Sequence, residues 1–313
     1  MIKEVRVVSE RSVLSTVLFT AFALLAFAGN SVLCRLALGE QSIDAGSFTV
    51  IRLLSGILVL SLLWYLMQRR KGAPQDRTGR GSWGAAMMLF LYALAFSYAY
   101  INLDTGTGAL ILFGAVQMTM ILISLFKGHR LLWVEWLGLL LAFSGFVYLL
   151  APVVNTPGLW GFILMTVAGI AWGIYTLMGR GSDNPLSDTH FNFFRTLPFV
   201  AVMLILILAS GEMNLTSKGI ILAILSGAIA SGIGYAVWYR ALSGLSAVQA
   251  AVLQLLVPVI AALGGVLFTD EIISIRLMLA SLLVLGGIML VVTGRYYLLQ
   301  RQASRAISGN TKP

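Results

Sequence analysis

Ten runs of roughly twenty apolar residues follow one another along the chain, separated by short polar stretches. They lie near 13–38, 46–67, 82–103, 105–126, 131–151, 159–178, 190–210, 217–240, 246–268 and 273–294. An α-helix of about 20 apolar residues crosses the ~30 Å hydrocarbon core of a bilayer. A helix also satisfies its own backbone hydrogen bonds where no water can. The pattern predicts an all-α polytopic membrane protein of ten transmembrane helices. In the first run, Ala26-Phe27-Ala28-Gly29 has the small-residue spacing of a signal-peptidase site. The run stays apolar past that point to Leu38, so it is read as a retained span.

Cations outside the spans divide unevenly. With the amino terminus placed in the cytoplasm, sixteen of the 21 Lys and Arg fall on the cytoplasmic side. Arg35, Lys218 and Arg276 fall outside, and only Arg52 and Arg195 lie within spans. This is the positive-inside asymmetry, and it predicts cytoplasmic amino and carboxyl termini. A missed helix would invert every later loop and erase it.

An internal repeat accompanies the pattern. The stretch from Phe48 to Arg52 recurs from Phe191 to Arg195, and Gly145–Leu150 recurs as Gly287–Val292, with offsets of 143 and 142. A weaker match relates Ala99–Leu103 to Trp238–Leu242. Five spans is an odd number, so a second copy enters the membrane upside down. The chain is thus expected to hold two inverted five-helix repeats, 1–152 and 153–295, followed by a basic cytoplasmic tail, 296–313. Inverted repeats are a transporter architecture in which solute binds near the bilayer midplane, between the halves.

Composition sharpens the class. The 313 residues are 59% hydrophobic and only 11% charged, with a mean hydropathy of +0.92. Soluble domains carry about 25% charged residues. The net charge of +9 reflects basic cytoplasmic loops rather than affinity for nucleic acid. The single cysteine, Cys34, excludes an intrachain disulfide. No P-loop, Cys/His metal pattern or nucleophile–base pair is present, so neither an enzyme nor a bound cofactor or metal is expected. His129 and His190 both read as loop residues. The twelve acidic residues fall in tails, in loops or at span ends, which argues against strong proton coupling.

Candidate cavity residues are polar or aromatic groups deep in spans. Asn30 lies mid-span in the first helix, where an amide needs a partner; it serves either an interhelical hydrogen bond or a solute. Tyr92, Trp172, Tyr175 and Tyr235 carry polar tips at depth. Gln117, Gln249 and Gln254 could bind both ends of a zwitterion or hold helices together. Gly227, Ser231, Gly234 and Trp238 recur at helical spacing and predict one face of close helix approach. Trp238 therefore joins the cavity set, although it stands near a span end. Tyr100, Trp238 and Tyr239 also fit an interfacial aromatic belt. Arg52 and Arg195 are expected to snorkel or to pair with a loop group. Asp270 and Glu271 are expected to cap or pair at a loop. Pro198 and Pro258 interrupt apolar runs and, with Gly232 and Gly234, are the hinge candidates. The expected pocket is lined by the first, third, fourth, sixth, eighth and ninth spans, with the fifth and tenth at the back or at a helix–helix contact.

The repeated Arg of the second span in each half (Arg52 and Arg195), Leu255-Leu-Val-Pro258 followed by Asp270-Glu271, and Gly286-Gly287 in the last span resemble the drug/metabolite transporter superfamily, in its ten-helix EamA-repeat form. Where the second half has Pro258 and Glu271, the first has Gln117 and His129-Arg130. Ala28–Ser31 and the aromatic third, sixth and eighth spans are most similar to the inner-membrane aromatic amino acid exporters of that superfamily. The resemblance implies alternating-access export of amino acids and similar small metabolites by a monomer in a bacterial inner membrane. The same features also permit another neutral solute: a nucleoside, a sugar or a drug-like metabolite.

Overall fold

A computed structural model describes residues 2–71, 79–126, 132–150, 158–179, 182, 184–211, 213–242, 244–245 and 247–309. Ten spans are present among the described residues. The first six are single helices: α1 (Ile2–Gly39), α2 (Ala45–Lys71), α3 (Trp83–Ala99), α4 (Thr105–Phe126), α5 (Trp133–Leu150) and α6 (Gly158–Met178). In three later spans the regular α-helix is interrupted. The seventh is α7 (Pro185–Phe194) plus α8 (Leu197–Ser210). The eighth is α9 (Ser217–Ile224), a π-helical stretch (Leu225–Ile233) and α10 (Gly234–Leu242). The ninth is α11 (Ala247–Gln254) plus α12 (Leu256–Phe268). The tenth is α13 (Ile275–Gly309). Seven spans are long and apolar enough to cross a membrane, and the three others are shorter apolar helices. The protein is an all-α, multi-pass membrane protein.

Local chemistry sets the helix ends. Ser82 caps α3, its hydroxyl accepting from Ala85 N–H at 3.1 Å; Thr216 does the same for α9 through Gly219 N–H at 3.1 Å. Asn184 caps α7 and Pro185 occupies its first turn, where a missing N–H costs nothing. The seventh span therefore starts earlier than hydropathy suggests. His190 is consequently helical and buried, not in a loop. Its ring stacks on Trp64 with centroids 5.1 Å apart. His129 lies outside the described residues.

Both interior prolines follow helix breaks. Proline cannot donate to the carbonyl four residues back, and its ring crowds that carbonyl. Four residues before Pro198 is Phe194, the last residue of α7; four before Pro258 is Gln254, the last residue of α11.

The spans pack around a shared centre. α1 lies against α9, the π stretch, α10 and α12; α6 lies against α3 and α4; α2 packs on the π stretch, α7 and α8; and α4 packs on α12. α5 and α13 form the most extensive pair. A Cβ at Gly287 would stand 2.5 Å from the Gly138 carbonyl oxygen, and one at Gly138 equally close to that of Gly287. Only a residue without a side chain permits this approach. Gly286, by contrast, faces open space.

The π stretch alters one expectation. Gly227 abuts α2 so closely that a Cβ would run into the Arg52 carbonyl, whereas Gly234 faces Ala26 of α1. The residues at α-helical spacing therefore do not share one partner. The i→i+5 bonds of a π-turn widen the helix and rotate the turns beyond it.

Candidate functional site

At the crossing of α1, α3, α4, α6 and the eighth span lies a cavity of about 20 Å³. It is lined by Phe27 and Asn30 of α1, Tyr92 and Phe96 of α3, Leu112 and Phe113 of α4, Trp172 of α6, Ala230 and Tyr235. A space of that size holds about one water, whereas small-molecule pockets run to about 300 Å³ or more. The centre is therefore closed around aromatic side chains in this conformation rather than open as a wet chamber.

Trp172 is the hub. Its ring centroid lies 4.8 Å from Tyr92, 5.0 Å from Tyr235 and 5.2 Å from Tyr175. Phe27 meets Tyr235 and Trp238 edge-on at 5.9 and 5.7 Å. Such tilted and edge contacts are favourable because ring edges are positive and faces negative. The rings bring together four helices without committing a polar group.

A polar chain runs through this cluster. Ser226 Oγ donates to Asn30 Oδ1 at 2.6 Å. Asn30 Nδ2 donates to the Tyr92 hydroxyl at 3.3 Å. Arg52 Nη2 donates to the same hydroxyl at 2.9 Å, and Arg52 Nε lies 3.4 Å from Ser231 Oγ as donor. The Arg52 guanidinium lies over the rings of Tyr92 and Phe96, 5.1 and 4.9 Å from their centroids. Asn30 and Arg52 are 5% and 2% exposed. Among the described residues Arg52 neither snorkels nor meets a carboxylate: its partners there are hydroxyls and ring faces, and Nη1 has none. The expectation of a loop partner fails because Arg52 faces inward, toward the third and eighth spans, not along α2 to its end. Arg195 does match it: its Nη1 donates to the Arg80 carbonyl outside α3.

The remaining candidates separate. Tyr175 and Trp238 are buried in the same aromatic cluster without lining the cavity. Tyr100 is fully buried and its hydroxyl donates to the Thr105 carbonyl at 3.3 Å. Tyr100 and Trp238 are thus interior groups and not belt residues, because their rings pack on Phe96 and Phe27, which are themselves buried. Gln117 is 3% exposed and lies one turn beyond Phe113 of the lining, with Nε2 unpartnered among the described residues. Gln254 ends α11, half-buried, and the ninth span contributes nothing to the lining. The Gln249 side chain lies outside the described residues. Sequence reasoning left out Phe96, Leu112, Phe113 and Ala230 of the lining and Ser226 beside Asn30. A cation in an otherwise apolar run was the one available signal for Arg52.

Both ends of the bundle are tied. At one, Glu271 accepts from Thr105 N–H at 2.8 Å, from Thr105 Oγ1 at 3.0 Å and from Arg35 Nε at 3.2 Å. Arg35 also reaches the carbonyls of Tyr100 and Ile101 and lies 3.6 Å from Asp104. At the other, Asp188 accepts from Gly81 N–H at 2.7 Å and from the Ser182 hydroxyl, and Asn192 Oδ1 accepts from Ser82 N–H at 2.9 Å. Each knot joins the start of one helix to a segment from the opposite half of the chain.

Comparison with known proteins decides the family. Residues 159–293 match the EamA-like transporter family. A Pseudomonas aeruginosa protein, the uncharacterized protein PA1977, is 52% identical over 280 residues, which cover 90% of this chain and 95% of that one. The chain belongs to the EamA-like transporter family. An uncharacterized transporter of Archaeoglobus fulgidus is 26% identical over 212 residues, 66% of this chain and 74% of that one. A solved crystal structure superposes with a TM-score of 0.57 at 17% identity, covering 87% of this chain and 96% of the other; it supports the fold alone. As an EamA-family protein this is a transporter and not an enzyme.

Proposed function

We propose that this EamA-family protein is a secondary carrier that exports amino acids, aromatic ones included, and similar small metabolites by alternating access. The observation that carries the reading is the closed centre: aromatic rings from four spans around Asn30, Tyr92 and Arg52, with a knot of hydrogen bonds at each end. A ring-lined space suits an apolar or aromatic side chain. The buried amide, hydroxyl and guanidinium suit a charged backbone end. A carrier must close both ends in turn, and opening one knot at a time would do so.

The packing supports two equivalent five-helix halves, and the odd number of spans in each makes them inverted. Exchange α1 with α6, α2 with the seventh span, α3 with the eighth, α4 with the ninth and α5 with the tenth. Under that exchange the contact of α6 with α3 becomes that of α1 with α10, and α6 with α4 becomes α1 with α12. The pairs α4–α12 and α5–α13 map onto themselves. With the cation asymmetry, this reading puts the Glu271 end outside, the Asp188 end in the cytoplasm, and the protein in a bacterial inner membrane as a monomer.

Reconstitution into proteoliposomes tests it. Labelled phenylalanine should move, and a panel of amino acids should compete, with no ATP present. Flux of a nucleoside or sugar with no amino acid competing would replace this reading with another small-solute carrier.

A further inference from the structure

Arg52 is the eighth residue of α2, so it lies about 10 Å in from the start of that helix at ~1.5 Å per residue. It is 2% exposed. A guanidinium carries five N–H donors in a rigid fork. Here Nε is used by Ser231 and one Nη2 hydrogen by Tyr92. Nη1 is unpartnered among the described residues, and Nη2 keeps a second hydrogen. Nη1 and Nη2 therefore retain three uncommitted hydrogens between them. Among the described residues no carboxylate forms an ion pair with Arg52; the ion pairs there involve Arg35 and Lys218.

An unpaired charge is costly to hold inside a bilayer-spanning bundle, and such groups mark solute or ion pathways. The hydroxyls and ring faces around Arg52 orient it without neutralising it. One of them, Tyr92, also lines the central cavity, so the cation lies directly behind a cavity wall. Nη1 with both hydrogens free and Nη2 with one can together meet a planar carboxylate, which guanidinium groups bind bidentately.

We propose that Arg52 is the anchor for the carboxylate of the transported solute, reached when the rings of Tyr92 and Trp172 part. This rests on the reading of the centre as the solute site and adds to it the substrate class: solutes carrying a carboxylate beside an apolar or aromatic group. The ammonium of an amino acid is then secondary, and a monocarboxylate without one is also a ligand. Asn30, whose amide donates to the Tyr92 hydroxyl, positions that ring rather than binding the carboxylate itself.

Competition in wild-type proteoliposomes against labelled phenylalanine tests the assignment, with thermal stabilisation of the purified protein by the same compounds as a readout independent of flux. The compounds are phenylalanine, 3-phenylpropanoate, which lacks the ammonium, and phenethylamine, which lacks the carboxylate. Phenylpropanoate acting within about threefold of phenylalanine, with phenethylamine about tenfold weaker or worse, supports the anchor. Phenethylamine acting as well as phenylalanine overturns it while leaving amino acid transport standing. Phenylpropanoate binding with no amino acid moved overturns amino acid transport and keeps the anchor. Neither acid binding overturns the anchor. In Arg52→Lys and Arg52→Gln, each checked for monodispersity, the acid-to-amine preference should fall about tenfold or more. A purely structural arginine would lower activity toward both compounds together and leave their ratio unchanged.

Discussion

Glu271 and Arg35 are 236 positions apart in sequence, and their side chains meet at 3.2 Å at the end of the bundle where α1 finishes and α4 begins. The same carboxylate caps α4 through Thr105 N–H at 2.8 Å. The Glu271 and Arg35 side chains are 13% and 22% exposed, and in the proposed carrier this pair would be the latch at that end. Glu271→Gln should weaken it by about 1–3 kcal/mol and populate the state open at that end. The check is the labelling rate of a cysteine placed at Thr107 in a Cys34→Ser background. It should rise roughly fivefold or more. An unchanged rate would mean the knot is not part of the gate.

Gly227 and Gly286 both sit in small-residue stretches, yet their surroundings differ. A Cβ at Gly227 would run into the Arg52 carbonyl, whereas one at Gly286 meets nothing within 4 Å. Gly227→Ala should destabilise the protein by about 1–3 kcal/mol, and Gly286→Ala should change stability by less than about 0.5 kcal/mol. Thermal unfolding in one detergent compares them directly. The Gly227 variant should also lose transport, because the collision displaces the backbone of Arg52.

Pro258 stands four residues after the end of α11, in the span where the helix is interrupted at Leu255. Pro258→Ala restores an N–H donor and removes the ring clash. The break should close, with thermal stability equal or higher and transport several-fold slower if the break is a hinge. Full transport in a stable Pro258→Ala protein would remove Pro258, and by the same logic Pro198, from the moving parts.

Among the described residues, Asp44, Asp104, Glu135, Asp188 and Glu271 all stand at or beside helix ends. The buried charge at the centre is Arg52, and a guanidinium keeps its proton throughout the physiological range. Phenylalanine flux measured at symmetric pH 6 and pH 8 should therefore agree within about twofold, since Arg52 is charged at both. An imposed pH gradient should not drive uphill accumulation. Strong accumulation driven by a pH gradient would require a titrating group elsewhere on the path.

The helices were legible because each span is a local property. The run from Thr105 to Phe126 is apolar throughout and is one helix. The seventh span began early for a local reason too: Asn184 caps it and Pro185 starts it, whereas hydropathy weighs only apolar content. The π-helical stretch was not legible, since the Gly, Ala and Ser of Leu225–Ile233 suit an ordinary helix equally well. The site was half legible. Asn30, Tyr92, Trp172 and Tyr235 line one cavity, as buried polar tips at depth suggested. Arg52 was visible as an anomaly whose partner was misjudged. Nothing in the run around it reveals that Tyr92, 40 positions on, takes one of its hydrogens.

Sequence by itself determined the membrane class, the ten spans and the two prolines that interrupt them. Each comes from how one short segment meets lipid or satisfies its own backbone, so no distant residue is needed. The tertiary structure alone decided that Trp172 closes the centre, that Ser226 holds Asn30, that Glu271 ties Arg35 to α4, and that Arg52 meets no carboxylate among the described residues. Those outcomes depend on which faces of helices far apart in sequence come together, and a polar group inside a bilayer acquires its meaning from the neighbour it finds there.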